Sequence, residues 1–231
     1  NYEILKSFNK ADEIEIHVTE WNMTSRLWES QHDSANGAAY CCQAIHDVCG
    51  YVDTFSYWTV SDIFRELGFP EREFHGGFGL ITVHGLKKPK YWAFELLHRL
   101  KGPRIPVSFE PSIPGVGAIA TKPIDGLNLL IWYYNPSQEN SQEPVKCKIR
   151  CLNLPLGKVN ITKAIIDNEH SNITNVANNL GVMSYPTEGE LIKLRELNIL
   201  YEERSQQEID SKYELELFLS PGSVVFLGFE T

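Results

Sequence analysis

The sequence predicts an α/β region followed by an all-β region. Residues 1–102 alternate predicted strands and helices, whereas residues 118–231 contain strands in which apolar and charged side chains alternate. Residues 103–117, rich in proline and glycine, separate the two regions and are interpreted as a linker. The change of hydrophobic period, together with this punctuation, therefore predicts two domains.

The first region consists of two predicted strands, each followed by a helix. In chain order these elements span Glu13–Thr19, Ser34–Val48, Tyr51–Val60 and Pro89–Leu100. Ala35, Ala38 and Cys42 recur at helical spacing, and proline stands in the first turn of the second helix. Crossovers of this length join parallel strands. Two parallel strands cannot bury both of their faces, so we expect this region to be part of a larger sheet.

The second region is predicted to be mainly antiparallel. Its predicted strands are Leu127–Tyr134, Val145–Cys151, Tyr213–Leu219 and Val224–Phe229. Val145, Cys147 and Ile149 alternate with charged residues, as in a sheet with one face towards solvent. A short helix is predicted at Thr187–Leu197, where Thr187 and Glu190 have the spacing of a capping box.

Composition excludes several classes of partner. The chain has 231 residues and a formal net charge of -9, and it contains no basic cluster. Nucleic acid and anionic membrane surfaces are therefore not expected as partners. No apolar run approaches the roughly 20 residues that span a bilayer. The chain begins with Asn1 rather than methionine, so the lack of a signal-peptide pattern decides little.

The cysteines are interpreted as reduced, buried thiols. Their number is odd, no pair has the spacing of a zinc or redox motif, and they are Cys41, Cys42, Cys49, Cys147 and Cys151. Free thiols favour a reducing, cytoplasmic compartment, although three Asn-x-Thr triplets weakly oppose this. The compartment and the oligomeric state, including a homo-oligomer, are left open.

Glu20 is the first candidate for chemistry, because it follows a predicted strand and barrel enzymes place catalytic groups at such ends. Ile14, Ile16 and Val18 have the same parity as Glu20. We therefore expect Glu20 to continue this apolar row and, if the row faces a barrel interior, to point into its mouth. The row containing His17 is more polar than a helix-covered strand usually is.

The second predicted strand ends near Trp58, whose indole could stack on the apolar face of a pyranose ring. Glu66 and His75 follow in a long loop, and His75 precedes a pair of glycines that could turn sharply or approach a ligand closely. Each residue alone also has a structural explanation: a solvated carboxylate, a core indole or a loop-holding histidine. The set His17, His32 and His75 has no metal-ligand spacing. Cys41 and Cys42 lack a histidine or asparagine scaffold for nucleophilic catalysis.

Taken in order, these residues resemble the C-terminal part of the family 39 glycoside hydrolases, specifically the microbial β-xylosidases. The motifs that carry the resemblance are Thr19-Glu20-Trp21-Asn22, His32-Asp33-Ser34-Ala35, Tyr51–Thr59, Phe74–Leu80 and Lys88–Ala93. It continues more weakly through Ile166–Asn172, Tyr185–Thr187 and Leu194–Glu196. The match covers nearly the whole chain from about residue 13.

The resemblance implies the C-terminal βα units of a TIM-type barrel, carrying strands seven and eight, followed by an antiparallel β-sandwich accessory domain. It implies cleavage of β-xylosides with retention, through a covalent glycosyl-enzyme. Glu20 matches the nucleophile, Trp58 matches the sugar-contacting tryptophan, and Glu66 matches an acidic residue that binds sugar hydroxyls. His75 is expected to shape the pocket loop. A xylose-containing oligosaccharide or glycoside is the implied substrate, and no metal or organic cofactor is implied.

Two departures from the family pattern limit this interpretation. Arg65 stands where the family has an acidic residue. The acid/base belongs to an Asn-Glu pair after the fourth strand, whereas the only Asn-Glu here, Asn168-Glu169, lies in the sandwich-like segment and is not assigned. We therefore expect the chain to need an N-terminal barrel portion and to be inactive alone.

Two alternatives remain. Modules of this kind also resemble the sugar-sensing part of transcription regulators, which Arg65 slightly favours. A plain structural β-domain preceded by a disordered first half is the other, and it predicts no protected amides in residues 1–102.

Overall fold

The computed structural model describes residue 4 and residues 13–64, 68, 70–137, 143–154, 157–210 and 212–230. The strands are β1 His17–Trp21, β2 Thr54–Tyr57, β3 Arg104–Ile105, β4 Val116–Thr121, β5 Gly126–Tyr133, β6 Val145–Leu152, β7 Gly157–Ile166, β8 Tyr201–Ile209, β9 Lys212–Leu219 and β10 Val224–Glu230. The helices are α1 Ala35–Val48, α2 Pro89–His98, α3 Ile173–Asn179 and α4 Glu188–Leu197, and a 3₁₀ turn spans Ser30–Asp33.

The first region has the predicted order of strand, helix, strand and helix. β1 and β2 pair in parallel, which confirms the prediction from crossover length. The Ser34 side chain caps α1 by accepting a hydrogen bond from the amide of Gly37, a local signal that placed this helix correctly. Both strands are shorter than predicted: β1 begins four residues later and ends two residues later, and β2 lacks three residues at each end.

The second region is built on a six-stranded antiparallel sheet with the order β3-β4-β5-β10-β7-β8. Strands β3, β4, β7 and β8 and helix α3 were not predicted. β8 is almost entirely polar and exposed at a sheet edge, so it has no apolar alternation to reveal it. The segment interpreted as a linker contains β3 and the start of β4.

The six-stranded sheet is covered on both faces. One face packs against α1 and α2 through residues that include Leu130 and Trp132, and the other packs against the antiparallel pair β6–β9. Trp132 is fully buried, and its indole N–H donates to Oε1 of Gln43 in α1 at 2.9 Å. The two regions therefore share one core.

Helices α3 and α4 form a smaller unit that packs on the chain leading into α2. Leu86 lies in its apolar cluster with Ile173 and Leu194. The predicted capping box at Thr187 and Glu190 is confirmed at the start of α4. Asn198, at the end of α4, accepts a hydrogen bond from the amide of Lys87 at 2.6 Å and donates to its carbonyl at 2.8 Å. Of the helices in the described ranges, none has the length and apolar character of a membrane span.

Candidate active site

Glu20 lies in β1, one residue before the strand ends, and its side chain is exposed. Val18 is paired with Phe55 and Trp21 with Tyr57, so three steps along β1 match two steps along β2. This register shift is a bulge, a feature that bends a strand and re-aims its side chains. Glu20 lies within the bulge.

The bulge makes the predicted row of Ile14, Ile16, Val18 and Glu20 wrong. Trp21 stacks on Phe55 with ring centroids 4.3 Å apart and also contacts Phe94 of α2. Paired residues of parallel strands project to the same face, so Val18 and Trp21 both face the helices. Val18 and Trp21 are three residues apart, so the alternation of side chains between the two faces of β1 is broken between them, where Glu20 lies.

The polar row of β1 faces away from the helices. His17 lies opposite Thr54, and its Nδ1 is 2.9 Å from the threonine hydroxyl. Both side chains are exposed. The row that contains His17 can be polar because the opposite face of β1 is the one that packs on α1 and α2.

Trp58 follows β2 directly, and 41 % of its surface is exposed. Its backbone N–H donates to the carbonyl of Trp21 at 2.9 Å. Its carbonyl accepts a hydrogen bond from Nδ2 of Asn22. The peptide bond that follows Trp58 is cis. The structure thus brings Trp58 to the end of β1, beside the residues that follow Glu20, with an indole available to a ligand.

His75 lies in the long segment between β2 and α2, and only 7 % of its surface is exposed. Its ring meets that of the exposed Trp28 edge-on at 5.0 Å, and its Nε2 lies 3.6 Å from Oδ2 of Asp62. Burial lowers the pKa of His75, although the Asp62 carboxylate opposes this shift. The pocket-shaping role of His75 stays a prediction. Glu66, like Arg65, lies outside the described residues.

A buried ion cluster, which the sequence did not predict, lies behind this loop. Nζ of Lys88 is 2.6 Å from Oδ1 of Asp33 and 2.6 Å from Oδ2 of Asp62, and all three side chains are buried. The other carboxylate oxygens accept the amides of Gly76, at 2.6 Å, and Gly79, at 2.8 Å. Burial alone would lower the pKa of Lys88, but the two carboxylates outweigh it and raise that pKa.

The glycine pair is required because the loop passes very close to its neighbours. Gly76 has φ +76, and a Cβ there would lie 2.4 Å from the carbonyl oxygen of Glu29. A Cβ on Gly77 would lie 2.5 Å from Oδ1 of Asp62. A side chain at either position would displace the loop from the ion cluster.

A second buried lysine lies next to the cluster. Lys90 is 1 % exposed, and its Nζ donates a long hydrogen bond, 3.4 Å, to the carbonyl of Phe78. Burial and the charge of Lys88 lower the pKa of Lys90 to about 7. Burial and Lys90 likewise lower the pKa of His32 to about 4. The sequence signal that could have revealed the two buried lysines is their position on either side of Pro89, at the start of an apolar helix.

Neither potential metal ligands nor the cysteines form a second candidate site in the described residues. In the part of the chain that the structure describes, no three His, Cys, Asp or Glu residues are arranged to hold a metal ion. All five cysteines are free, but Cys49 is exposed and Cys147 half-buried, so the prediction of uniformly buried thiols is wrong for these two. Burial raises the pKa of Cys41 to about 12 and that of Cys42 well above its usual value, so neither is a ready nucleophile.

Comparisons of the sequence and of the fold with known proteins point to one family of enzymes. The model of the glycosyl hydrolases family 39 matches residues 2–207. A β-xylosidase of Caldicellulosiruptor saccharolyticus is 36% identical over 133 residues, which are 57% of this chain and 27% of that enzyme. A β-xylosidase of Geobacillus stearothermophilus is 28% identical over 220 residues, or 94% of this chain and 42% of that enzyme.

The crystal structure of a monomeric β-xylosidase from Caulobacter crescentus superposes with a TM-score of 0.83 at 24% identity. The superposition covers 94% of this chain and 45% of that one, and at this identity it supports the fold alone. The chain spans less than half the length of each of these three relatives.

Proposed function

The chain belongs to glycosyl hydrolase family 39, and on this premise we propose that it is the C-terminal part of a retaining β-xylosidase. In this proposal β1, β2, α1 and α2 are the last two βα units of a TIM-type barrel. The six-stranded sheet and the β6–β9 pair form the accessory β-sandwich. The supporting observation is that Glu20 and Trp58, both exposed, lie at the carboxyl ends of paired parallel strands.

Glu20 is the proposed nucleophile. Its carboxylate attacks the anomeric carbon of a β-xyloside, a glycosyl ester forms, and the bond to the leaving oxygen breaks as that oxygen takes a proton from the general acid. Water then cleaves the ester and gives a proton to the same group, which now acts as a base; this returns Glu20 and the general acid and gives net retention. The exposed indole of Trp58 provides the sugar platform, Glu66 binds hydroxyl groups, and His75 holds the loop beside them.

The general acid must come from another part of the protein. Retaining cleavage requires a second carboxyl group about 5–5.5 Å from the nucleophile. Glu169 of the Asn-Glu pair lies in the turn after β7, where its amide donates to Asp167, so it is not proposed for this role. The acid/base is assigned to barrel strands that this chain does not include. The free cysteines favour a reducing compartment for the protein.

The test uses the full-length polypeptide that contains this chain. An activated 2-deoxy-2-fluoro-β-xyloside should accumulate as a covalent adduct on Glu20, located by peptide mass spectrometry. Glu20→Gln should reduce kcat for an aryl β-xyloside on the order of 10⁴-fold or more, because the bond-forming group is lost. Glu15→Gln removes another exposed carboxylate just before β1 and should leave kcat unchanged.

A second variant separates a missing nucleophile from a damaged fold. In Glu20→Gly, azide can enter the vacated space and displace the leaving group once, so the expected product is the α-xylosyl azide. An adduct on another carboxylate, or full hydrolysis by Glu20→Gln, would contradict the assignment. Xylose binding without turnover by the unaltered full-length protein would instead favour a sugar-sensing regulator. Turnover of an unactivated xyloside by residues 1–231 alone, abolished by Glu20→Gln, would refute the need for an outside acid.

A further inference from the structure

The side chain of Asn22 joins the ends of the two parallel strands. Asn22 follows β1 directly, two residues after Glu20. We propose that Asn22 is a positioning residue that holds the Trp58 indole at a set place relative to the Glu20 carboxylate. This inference rests on the proposed function, because it assumes that Trp58 and Glu20 act on the same sugar.

Both backbone polar groups of Trp58 are held by the end of β1. The N–H donates to the carbonyl of Trp21 at 2.9 Å, which continues the parallel ladder. The carbonyl lies beyond the ladder and accepts from Nδ2 of Asn22. The amide of Asn22 therefore replaces the next ladder bond where β1 turns away. Without it, one end of the Trp58 peptide unit loses its link to the strand that carries Glu20.

The side-chain amide of Asn22 also links Trp58 to the loop Phe74–Leu80, which contains the glycine pair Gly76-Gly77. Nδ2 of Asn22 lies 3.4 Å from the carbonyl oxygen of Phe78, which also accepts from the hydroxyl of Tyr57 at 3.0 Å. The residues on either side of Phe78 are held by the Asp33–Lys88–Asp62 cluster. Asn22 thus contacts a carbonyl that the cluster holds in place. The backbone N–H of Thr59 also lies 3.4 Å from this carbonyl oxygen, so Asn22 adds a second link between it and the Trp58 peptide unit.

The orientation of the Asn22 amide is itself set. Its Oδ1 accepts the backbone N–H of Met23 at 2.7 Å, which directs the NH₂ group towards the two carbonyls. The backbone carbonyl of Asn22 accepts a hydrogen bond from the hydroxyl of Tyr40, in α1, at 3.2 Å. A side chain held at both ends is suited to positioning, because it has little rotational freedom left to lose when substrate binds.

The predicted consequence is a change in substrate binding and turnover beyond a loss of stability. Misplacement of a contact group by about 1 Å can cost on the order of 100-fold in rate. For the full-length protein acting on an aryl β-xyloside, Asn22→Ala should reduce kcat/KM about 10- to 100-fold. Part of this loss should appear as a raised KM, because the sugar platform is also used in the ground state.

Asn36 provides a matched control. It too is a half-buried asparagine that bridges chain segments, donating to the carbonyl of Asn135 at 3.0 Å and accepting its amide at 3.0 Å. It lies in α1 and contacts neither Glu20 nor Trp58 through these bonds. Asn36→Ala should lower Tm by an amount similar to Asn22→Ala but leave KM and kcat unchanged at a temperature where both variants are folded.

Asn22→Asp gives a readout that a purely structural role would not produce. As a carboxylate the new side chain repels the two carbonyl oxygens, whereas as a carboxylic acid it can donate one hydrogen bond to the Trp58 carbonyl. The ratio of its kcat/KM to that of the wild type should therefore rise as pH falls through the range in which aspartate is protonated. If Asn22→Ala does not fold, the pH dependence of this ratio for Asn22→Asp tests the inference by itself.

Equal effects of Asn22→Ala and Asn36→Ala on KM and kcat, or a flat Asn22→Asp ratio, would overturn the inference. Either result leaves the proposed function intact if the fluoro sugar still labels Glu20. Failure of that labelling contradicts the function itself, so the two failures are distinguishable.

Discussion

The parallel pair β1–β2 and the antiparallel strand β5 differ in what surrounds them. All eight residues of β5 are buried, whereas no residue of β1 or β2 is. β5 lies between helices on one face and the β6–β9 pair on the other, and its side chains are mostly apolar. The parallel pair packs on helices with one face and presents polar groups on the other. Glu20, the proposed nucleophile, lies exposed near the end of this pair.

The two regions are also held in different ways. The sheet is stabilised by apolar packing, which tolerates small adjustments of shape. The loop beside Trp58, residues 74–80, is held by buried charges and by hydrogen bonds to its backbone. Such contacts specify one geometry but leave a large penalty if one partner is removed. The following substitutions test this difference.

The largest loss of stability is expected for Lys88→Met. The substitution leaves the carboxylates of Asp33 and Asp62 buried without a counter-ion, which costs about 3–5 kcal/mol. Urea unfolding of the chain at neutral pH measures the change. Lys146→Met is the control, because the ion pair of Lys146 with Glu216 is more than half exposed and should contribute little. Equal midpoints for the two variants would remove the distinction between the regions.

Leu130→Ala tests the packing of the sheet. Leu130 is fully buried in β5 against the helices, so its truncation should cost about 3 kcal/mol through lost burial and a residual cavity. Leu152→Ala in β6 is the control, since Leu152 is 56% exposed and loses little contact. The same urea titration applies. A larger effect at the exposed position would contradict the assignment of the core.

Lys90→Met should reveal a pH dependence that the sheet does not have. Below about pH 7 Lys90 is charged in both states, so the folded protein bears the full cost of burying the charge. Between that pH and the usual lysine range the unfolded chain binds the extra proton, so stability rises with pH, by at most about 1.4 kcal/mol per unit. Lys90→Met should therefore stabilise the protein at pH 7 more than at pH 9.

Unfolding curves of Lys90→Met at these two pH values measure the difference. The exposed Lys122 provides a matched substitution, Lys122→Met, whose effect should not vary with pH. A constant effect of Lys90→Met across the same range would show that Lys90 keeps its charge in the folded protein.

The smallest expected effect is at the cap of α4, in the small helical unit formed by α3 and α4. Thr187→Ala removes the hydroxyl that accepts the amide of Glu190 and should cost about 1 kcal/mol. Thr187→Ser keeps a hydroxyl and should stay close to the wild type. Thermal unfolding compares the two, and identical losses would mean that the cap contributes nothing to this helix.

Local patterns in the sequence were enough for much of the fold. The spacing of Ala35, Ala38 and Cys42 located α1, and the capping box located α4. β8 escaped prediction because an edge strand with polar side chains has no pattern that distinguishes it from a loop. The bulge at Glu20 also escaped, because an alternating pattern carries no sign of the extra residue.

The sequence by itself determined the order of strands and helices in the first region, the capping signals and the family motifs that single out Glu20 and Trp58. These depend on neighbours along the chain, whose spacing is visible in the sequence. Only the tertiary structure decided that Asp33, Lys88 and Asp62 meet, and that Asn22 bridges to Trp58. Charged and amide groups are usual at surfaces, so a sequence does not distinguish a solvated side chain from one whose partner is brought to it by folding.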